Sequence, residues 1–285
     1  MFGELAEVVG GQWRLFPSLP GPELRAAARQ AIGVPALTAG DVRVERTWTD
    51  GGLHGEELSW TVGFGPRTRA YLLRPRDHGG PLPGVVALHC HAGMKWAGKE
   101  KIADGPEGPS PEVRRLRRDV YGGRAFAGEL ARRGFAVLAH DVLTWGSRRF
   151  ALDVPEGESG LADRYDRAAA RHEHVVAKHC ALLGTSFAGV VAGEEGLSRL
   201  GDWPDLVAAR APAPLMVQYA LRDELFPQAG MRRAHARIGA RYRDAPGRYE
   251  AVFAPAPHGF DVPMQERAFG WLARELVSRP PSTGR

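Results

Sequence analysis

The chain has 285 residues, 44% of them hydrophobic, with a formal net charge of +5, which is length and apolar material enough for one large α/β domain or two small ones, one being the expectation. Its positive balance is almost wholly arginine, interleaved with acids as in Arg43, Glu45 and Arg46 or Asp163, Arg164, Asp166 and Arg167. A mixed-sign solvated face of this kind argues against a nucleic-acid partner, the run Arg114 to Arg118 being the one basic cluster. Two cysteines, Cys90 and Cys180, exclude a disulfide framework, lack metal-ligand spacing and read as buried thiols.

The N-terminus, Met1-Phe-Gly-Glu-Leu-Ala-Glu, has neither the basic start nor the apolar core of a secretion signal, and no apolar run approaches the ~20 residues that span a bilayer. A cytoplasmic protein with no membrane partner is the expectation. A short helix follows the Pro/Gly entry at Pro20, and Val42 to Thr49 alternates as a half-buried strand does. Leu58 to Phe64 and Arg69 to Arg74 read as further antiparallel strands across a Gly-Pro turn, closed by the Pro/Gly-rich segment Pro75 to Gly84. Residues 1–40 form a lead-in, and 41–280 are expected to make a single domain.

The pattern changes at Gly84 to His89, a continuous apolar strand, followed by a helical stretch over Tyr121 to Arg133 and a second apolar strand over Phe135 to Asp141. This order is a βαβ unit, and continuous apolar strands imply a parallel sheet covered on both faces. Ligands on such sheets bind beyond the carboxyl ends of the strands. Those ends carry His89-Cys-His-Ala-Gly93 and Asp141-Val-Leu-Thr-Trp-Gly146. Backbone N–H groups around His91, Ala92 and Gly93 are placed as an oxyanion loop requires, the alternative being an ordinary βα turn. His89 and His91 are candidate metal ligands without a third of convincing spacing, so no metal is assigned, and a metal hydrolase that adds Asp141 to them is a further option. Leu161 to Leu183 reads as helix, and its His172, His174 and His179 do not share a face.

Late in the chain, Leu215 to Tyr219 and Tyr249 to Phe253 are strand-like, and each delivers one titratable residue onto a loop: Asp223 and His258. A carboxylate that orients an imidazole, and an imidazole that takes a nucleophile's proton, are what hydrolytic chemistry needs. The 35 residues between them hold one helix, Met231 to Tyr242, and one strand. The local alternatives are a turn-capping role for Asp223 and a surface histidine at His258. Asp261 is a poorer acid, because a residue three positions after the histidine points away from it. Trp96, Trp145 and Trp203 are pocket candidates, though aromatic side chains more often belong to a core.

Gly184-Thr-Ser186-Phe-Ala-Gly189 approximates the Gly-x-Ser-x-Gly turn that exposes a nucleophilic serine, and Ser186, Asp223, His258 stand in the order of a hydrolase triad. Against it, a helical apolar period runs from Leu161 to Phe187, and the interval to Asp223 is short for the elements it must hold. Ser147, Ser198 and Cys180 remain as other nucleophiles.

The blocks Pro83 to Gly93, Ala136 to Gly146, Pro214 to Pro227 and Pro257 to Phe260 resemble the dienelactone hydrolase and acetyl xylan esterase branch of the α/β-hydrolases, over residues ~40–275 with a gap. The resemblance implies a mostly parallel sheet covered by helices with an N-terminal antiparallel β extension, shortened in the middle. In that branch a segment similar to Leu182 to Gly189 commonly precedes the true elbow, which this chain would then lack. The implied activity is hydrolysis of small acyl esters, acetylated sugars or lactones by Ser186, His258 and Asp223 without a cofactor. The alternative is an impaired or inactive relic. Loss of a central strand would expose apolar surface and favour self-association into a homo-oligomer.

Overall fold

Eleven residues from Gly40 to Asp50 form β1, which turns at Gly51 and Gly52, both at positive φ, into β2 (Leu53–Thr61). The strict alternation of buried and half-exposed side chains along β2 is the period-2 pattern that registers it against β1 on one side and β3 (Thr68–Pro75) on the other, both antiparallel. This is a computed structural model, and it describes residues 19, 21–32, 38–63, 65–157, 159–171 and 203–277.

The described residues divide into two compact units, Met1–Ala36 with Glu173–His258, and Leu37–His172 with Gly259–Arg285. In the second of these, β4 (Gly84–Ala87) pairs in parallel with β5 (Ala136–His140), and β5 pairs antiparallel with β3, so the sheet order is β1-β2-β3-β5-β4. The expected parallel pair and the expected antiparallel extension are therefore one continuous mixed sheet. Val86 and Leu88 are more than half exposed, unlike the two-sided burial expected of the Gly84 to His89 run.

The helical stretch expected over Tyr121 to Arg133 is replaced by two helices, α2 (Pro111–Tyr121) and α3 (Phe126–Ala131). Ser110 caps α2 by accepting the Val113 N–H, Pro111 supplies its first turn, and Gly122 and Gly123 end it with φ of 60° and 81°. The Arg114 to Arg118 run lies on α2. Its Arg117 is buried and donates to the carbonyls of Glu100, Lys101 and Ala103 and to Asp104, which makes it a structural clamp. α4 (Leu161–Ala170) follows, and α7 (Val262–Leu276), capped by Asp261 through the Met264 N–H, sends Phe269 into a core of Leu73, Phe126, Leu130, Phe135 and Val137.

The other unit holds α1 (Gly21–Ile32), α5 (Trp203–Ala208), β6 (Leu215–Ala220), α6 (Gln228–Arg241) and β7 (Tyr249–Ala254). β6 and β7 are parallel, paired from Leu215↔Tyr249 to Ala220↔Ala254. Leu215, Ile238 and Tyr242 pack at its centre, and buried Asp205 accepts from Arg237 at 2.9 Å. Among the described residues no helix is long and apolar enough to cross a membrane.

Candidate active site

The parallel register of β6 and β7 does not stop at the strand ends. The Leu221 N–H donates to the Ala254 carbonyl at 2.8 Å and the Arg222 N–H to the Ala256 carbonyl at 2.9 Å, zipping the two following loops together. That extension carries Asp223 and His258 to each other, with His258 Nδ1 2.8 Å from Asp223 Oδ2. The second carboxylate oxygen accepts the Leu225 N–H at 2.8 Å, so the turn-capping role and the pairing role are both filled by the same side chain. Burial alone would raise the Asp223 carboxyl. The hydrogen bonds from His258 and from the Leu225 and Phe226 N–H groups outweigh it and hold the group below the usual carboxylate range. With Nδ1–H donated to a carboxylate, the lone pair of the imidazole resides on Nε2, the tautomer a general base requires. The His258 side chain is 59% exposed and that of Asp223 8%: one partner is reachable and the other anchored.

In the other unit, the loop after β4 is built on buried charge. Asp141, at the end of β5, accepts the Lys99 N–H at 2.7 Å, the Ser147 N–H at 2.9 Å and the Lys99 ammonium at 3.2 Å. Burial would raise this carboxyl, but the Lys99 ammonium and the two N–H donors lower it instead, and the Glu100 and Asp141 carboxylates in turn raise Lys99 against its own burial. Gly98 and Gly146 are required here: a Cβ would lie 2.2 Å from Asp141 Oδ1 at the first and 2.5 Å from Asp141 Cγ at the second.

His89 sits in the same cluster, with Nδ1 3.1 Å from the Cys90 carbonyl and Nε2 accepting the Val142 N–H at 3.3 Å. Burial, reinforced by the Lys101 cation, pushes it down to about 4, so it is neutral at pH 7. Both of its nitrogens and the Asp141 carboxylate are engaged in these hydrogen bonds. Among the described residues no three His, Cys, Asp or Glu side chains are grouped as metal ligands.

The exposed loop His91, Ala92, Gly93 takes left-handed backbone at Ala92 and Gly93, φ 47° and 64°. The Gly93 N–H donates to His91 Nδ1 at 3.1 Å, and the His91 ring stands edge-on to Trp145, 5.3 Å between centroids.

No family model matches this sequence, and no curated protein does either. Solved structures do match. A provisionally assigned acetyl xylan esterase from Bacteroides fragilis superposes with a TM-score of 0.62 at 13% identity, over 91% of this chain and 87% of that one. A methylesterase gives 0.55 at 14% identity over 98% and 72%, and a glucuronoyl esterase from Solibacter usitatus 0.53 at 13% over 90% and 92%. The chain has the α/β-hydrolase fold.

Within that fold, the residues singled out from sequence fare differently. Asp223 and His258 are brought together as expected. Ser186, Ser198, Cys180, His172, His174 and His179 lie outside the described residues. Ser147 is a fastener, its Oγ accepting the Arg69 N–H at 2.9 Å while its own N–H holds Asp141. Cys90 is a free, partly buried thiol. Trp145 is buried under the His91 loop, its Nε1–H 3.3 Å from the His91 carbonyl, and Trp96 packs edge-on to Tyr165 beneath the Arg149 guanidinium. Trp203, at the start of α5, is 52% exposed.

Lys99 and Lys101 were not among the sequence candidates, although both are buried in the loop cluster. A signal was present: of the four lysines in the chain, three fall within the seven residues from Lys95 to Lys101.

Proposed function

We propose that the protein is a carboxylic-ester hydrolase acting on small acyl esters, acetylated sugars or lactones by a Ser-His-Asp mechanism. The observation that carries this reading is the 2.8 Å Asp223–His258 pair on adjacent strand ends, in a fold shared with solved structures described as acetyl xylan, methyl and glucuronoyl esterases. Ser186 Oγ attacks the ester carbonyl as His258 Nε2 takes its proton, and Asp223 accepts from Nδ1–H throughout, stabilising the imidazolium. The tetrahedral oxyanion is held by backbone N–H groups of the His91, Ala92, Gly93 loop. Collapse breaks the C–O bond, and the departing alkoxide leaves with the proton from His258. Water, deprotonated by the same imidazole, then releases the acid and returns the proton to Ser186. No cofactor enters this sequence of steps.

The test is labelling of the folded protein with a fluorophosphonate ester, with the modified peptide mapped by mass spectrometry. Label on Ser186 that disappears in His258→Ala supports the reading. A folded protein that takes no label overturns it in favour of a hydrolase fold without its nucleophile, and label on Ser147, Ser198 or Cys180 reassigns the attacking group.

A further inference from the structure

Lys101 is wholly buried, yet the loop it serves is exposed. Its Nζ lies 3.0 Å from the Cys90 carbonyl and 3.0 Å from the His91 carbonyl. Trp145 Nε1 makes a second contact to the His91 carbonyl, at 3.3 Å, and the ammonium sits 5.8 Å from the centroid of the Trp145 ring. The backbone of Lys101 is fixed in turn, since its N–H donates to the Gly98 carbonyl and its own carbonyl accepts from Arg117. A cation held at both ends thus draws two consecutive carbonyls inward.

A trans peptide is planar and carries its N–H opposite its C=O. Pulling the Cys90 and His91 carbonyls toward Lys101 therefore turns the N–H groups of the same two peptide planes, those of His91 and Ala92, away from the buried ammonium. The Gly93 N–H, by contrast, is taken by His91 Nδ1 within the loop. Left-handed φ at Ala92 costs a non-glycine residue of order 1 kcal/mol and persists because the inward carbonyls over-determine it.

We propose that Lys101 is a positioning residue of this loop, which aims the Ala92 N–H at the oxyanion of a bound acyl group by holding the two carbonyls behind it. In its catalytic consequence this rests on the esterase reading above; the orientation of the loop does not. Burial pushes Lys101 down to about 8, so the hold is subject to titration in the mildly alkaline range. The charged and titratable groups facing it are the Cys90 thiol, Asp166, Glu100, Asp141 and His89.

The sequence provides a direct reporter, because only two His-Ala pairs occur in the chain, His91-Ala92 and His235-Ala236. Full-length protein labelled with carbonyl-13C histidine and 15N alanine yields two correlated amides, and Ala236→Ser identifies the second. Lys101→Met is expected to move the His91 carbonyl upfield and shift the Ala92 amide while the His235-Ala236 pair stays in place, and Lys101→Arg is expected to restore both. In the wild type the same carbonyl should titrate with a midpoint of about 8, and should do so in Cys90→Ser as well. That wild-type titration decides the matter if Lys101→Met does not fold. A His91 carbonyl that neither titrates nor responds to Lys101→Met overturns the proposal. Hydrolysis is a separate arm: Lys101→Met should lower kcat roughly tenfold with KM unchanged, as loss of transition-state donors does, and an equal kcat would also overturn it. A wild type that hydrolyses nothing while the carbonyl responds sinks the esterase reading and leaves the loop's positioning by Lys101 intact.

Discussion

His258 Nδ1 and Asp223 Oδ2 stand 2.8 Å apart at the ends of two strands whose pairing runs on into the loops. The carboxylate fixes which imidazole nitrogen is basic, so Asp223→Asn should leave the fold in place and invert that tautomer. The expected result is a fall in kcat for a 4-nitrophenyl ester on the order of 10³-fold with an unchanged thermal midpoint. A loss under tenfold would show that the pair is no catalytic dyad.

Asp223 and His258 were legible because each follows a short β-branched or aromatic run, and 35 residues leave room for the intervening helix and strand. α2 was not, because its apolar positions are few and its arginines resemble a solvated charge run; the capping residues Ser110 and Gly122 were the better signal. The buried lysines were hidden by a general rule, since lysine is almost never fully buried unless paired. What satisfies Lys101 is two main-chain carbonyls, and what satisfies Lys99 is its neighbour Glu100 together with Asp141, 42 positions away, so only the Lys99–Glu100 contact is local in sequence.

His89 gives the acid limb of stability a specific source. Its folded pKa of about 4 lies below the ordinary 6.5, so the unfolded chain binds one proton more than the native one between those values. Stability is therefore complete above about pH 6.5 and falls as pH drops toward 4, by about 3 kcal/mol in all. Replacing His89 by Asn, which does not titrate, should flatten this window in urea midpoints measured against pH. An unchanged slope would place the acid sensitivity elsewhere.

Asp141 is expected to be the costliest carboxylate to remove from the loop cluster. Asp141→Ala strands one buried and one partly buried N–H donor and leaves the Lys99 ammonium with Glu100 as its remaining carboxylate partner, a change worth about 3 kcal/mol or more by equilibrium unfolding. The sign of the pH dependence follows from its lowered pKa: its contribution is present above the ordinary value of ~3.9 and is lost as pH falls through the lower folded value. A variant within 1 kcal/mol of wild type would mean that water replaces the carboxylate.

Gly98 tests the same cluster from the backbone. A methyl group there meets Asp141 Oδ1 at 2.2 Å and His89 Nε2 at 3.3 Å, and neither neighbour can yield cheaply, since the oxygen is held by the Lys99 N–H and the ring by Val142. Gly98→Ala should cost about 1–3 kcal/mol as an overpacking change. Because the turn it opens leads into Lys101, it should also displace the Ala92 amide resonance. Gly79→Ala, where an added Cβ meets nothing within 4 Å, is the matched control and should leave both readouts unmoved. A Gly98→Ala protein as stable as that control would show that the carboxylate swings aside freely, and that the loop is held less tightly than its hydrogen bonds imply.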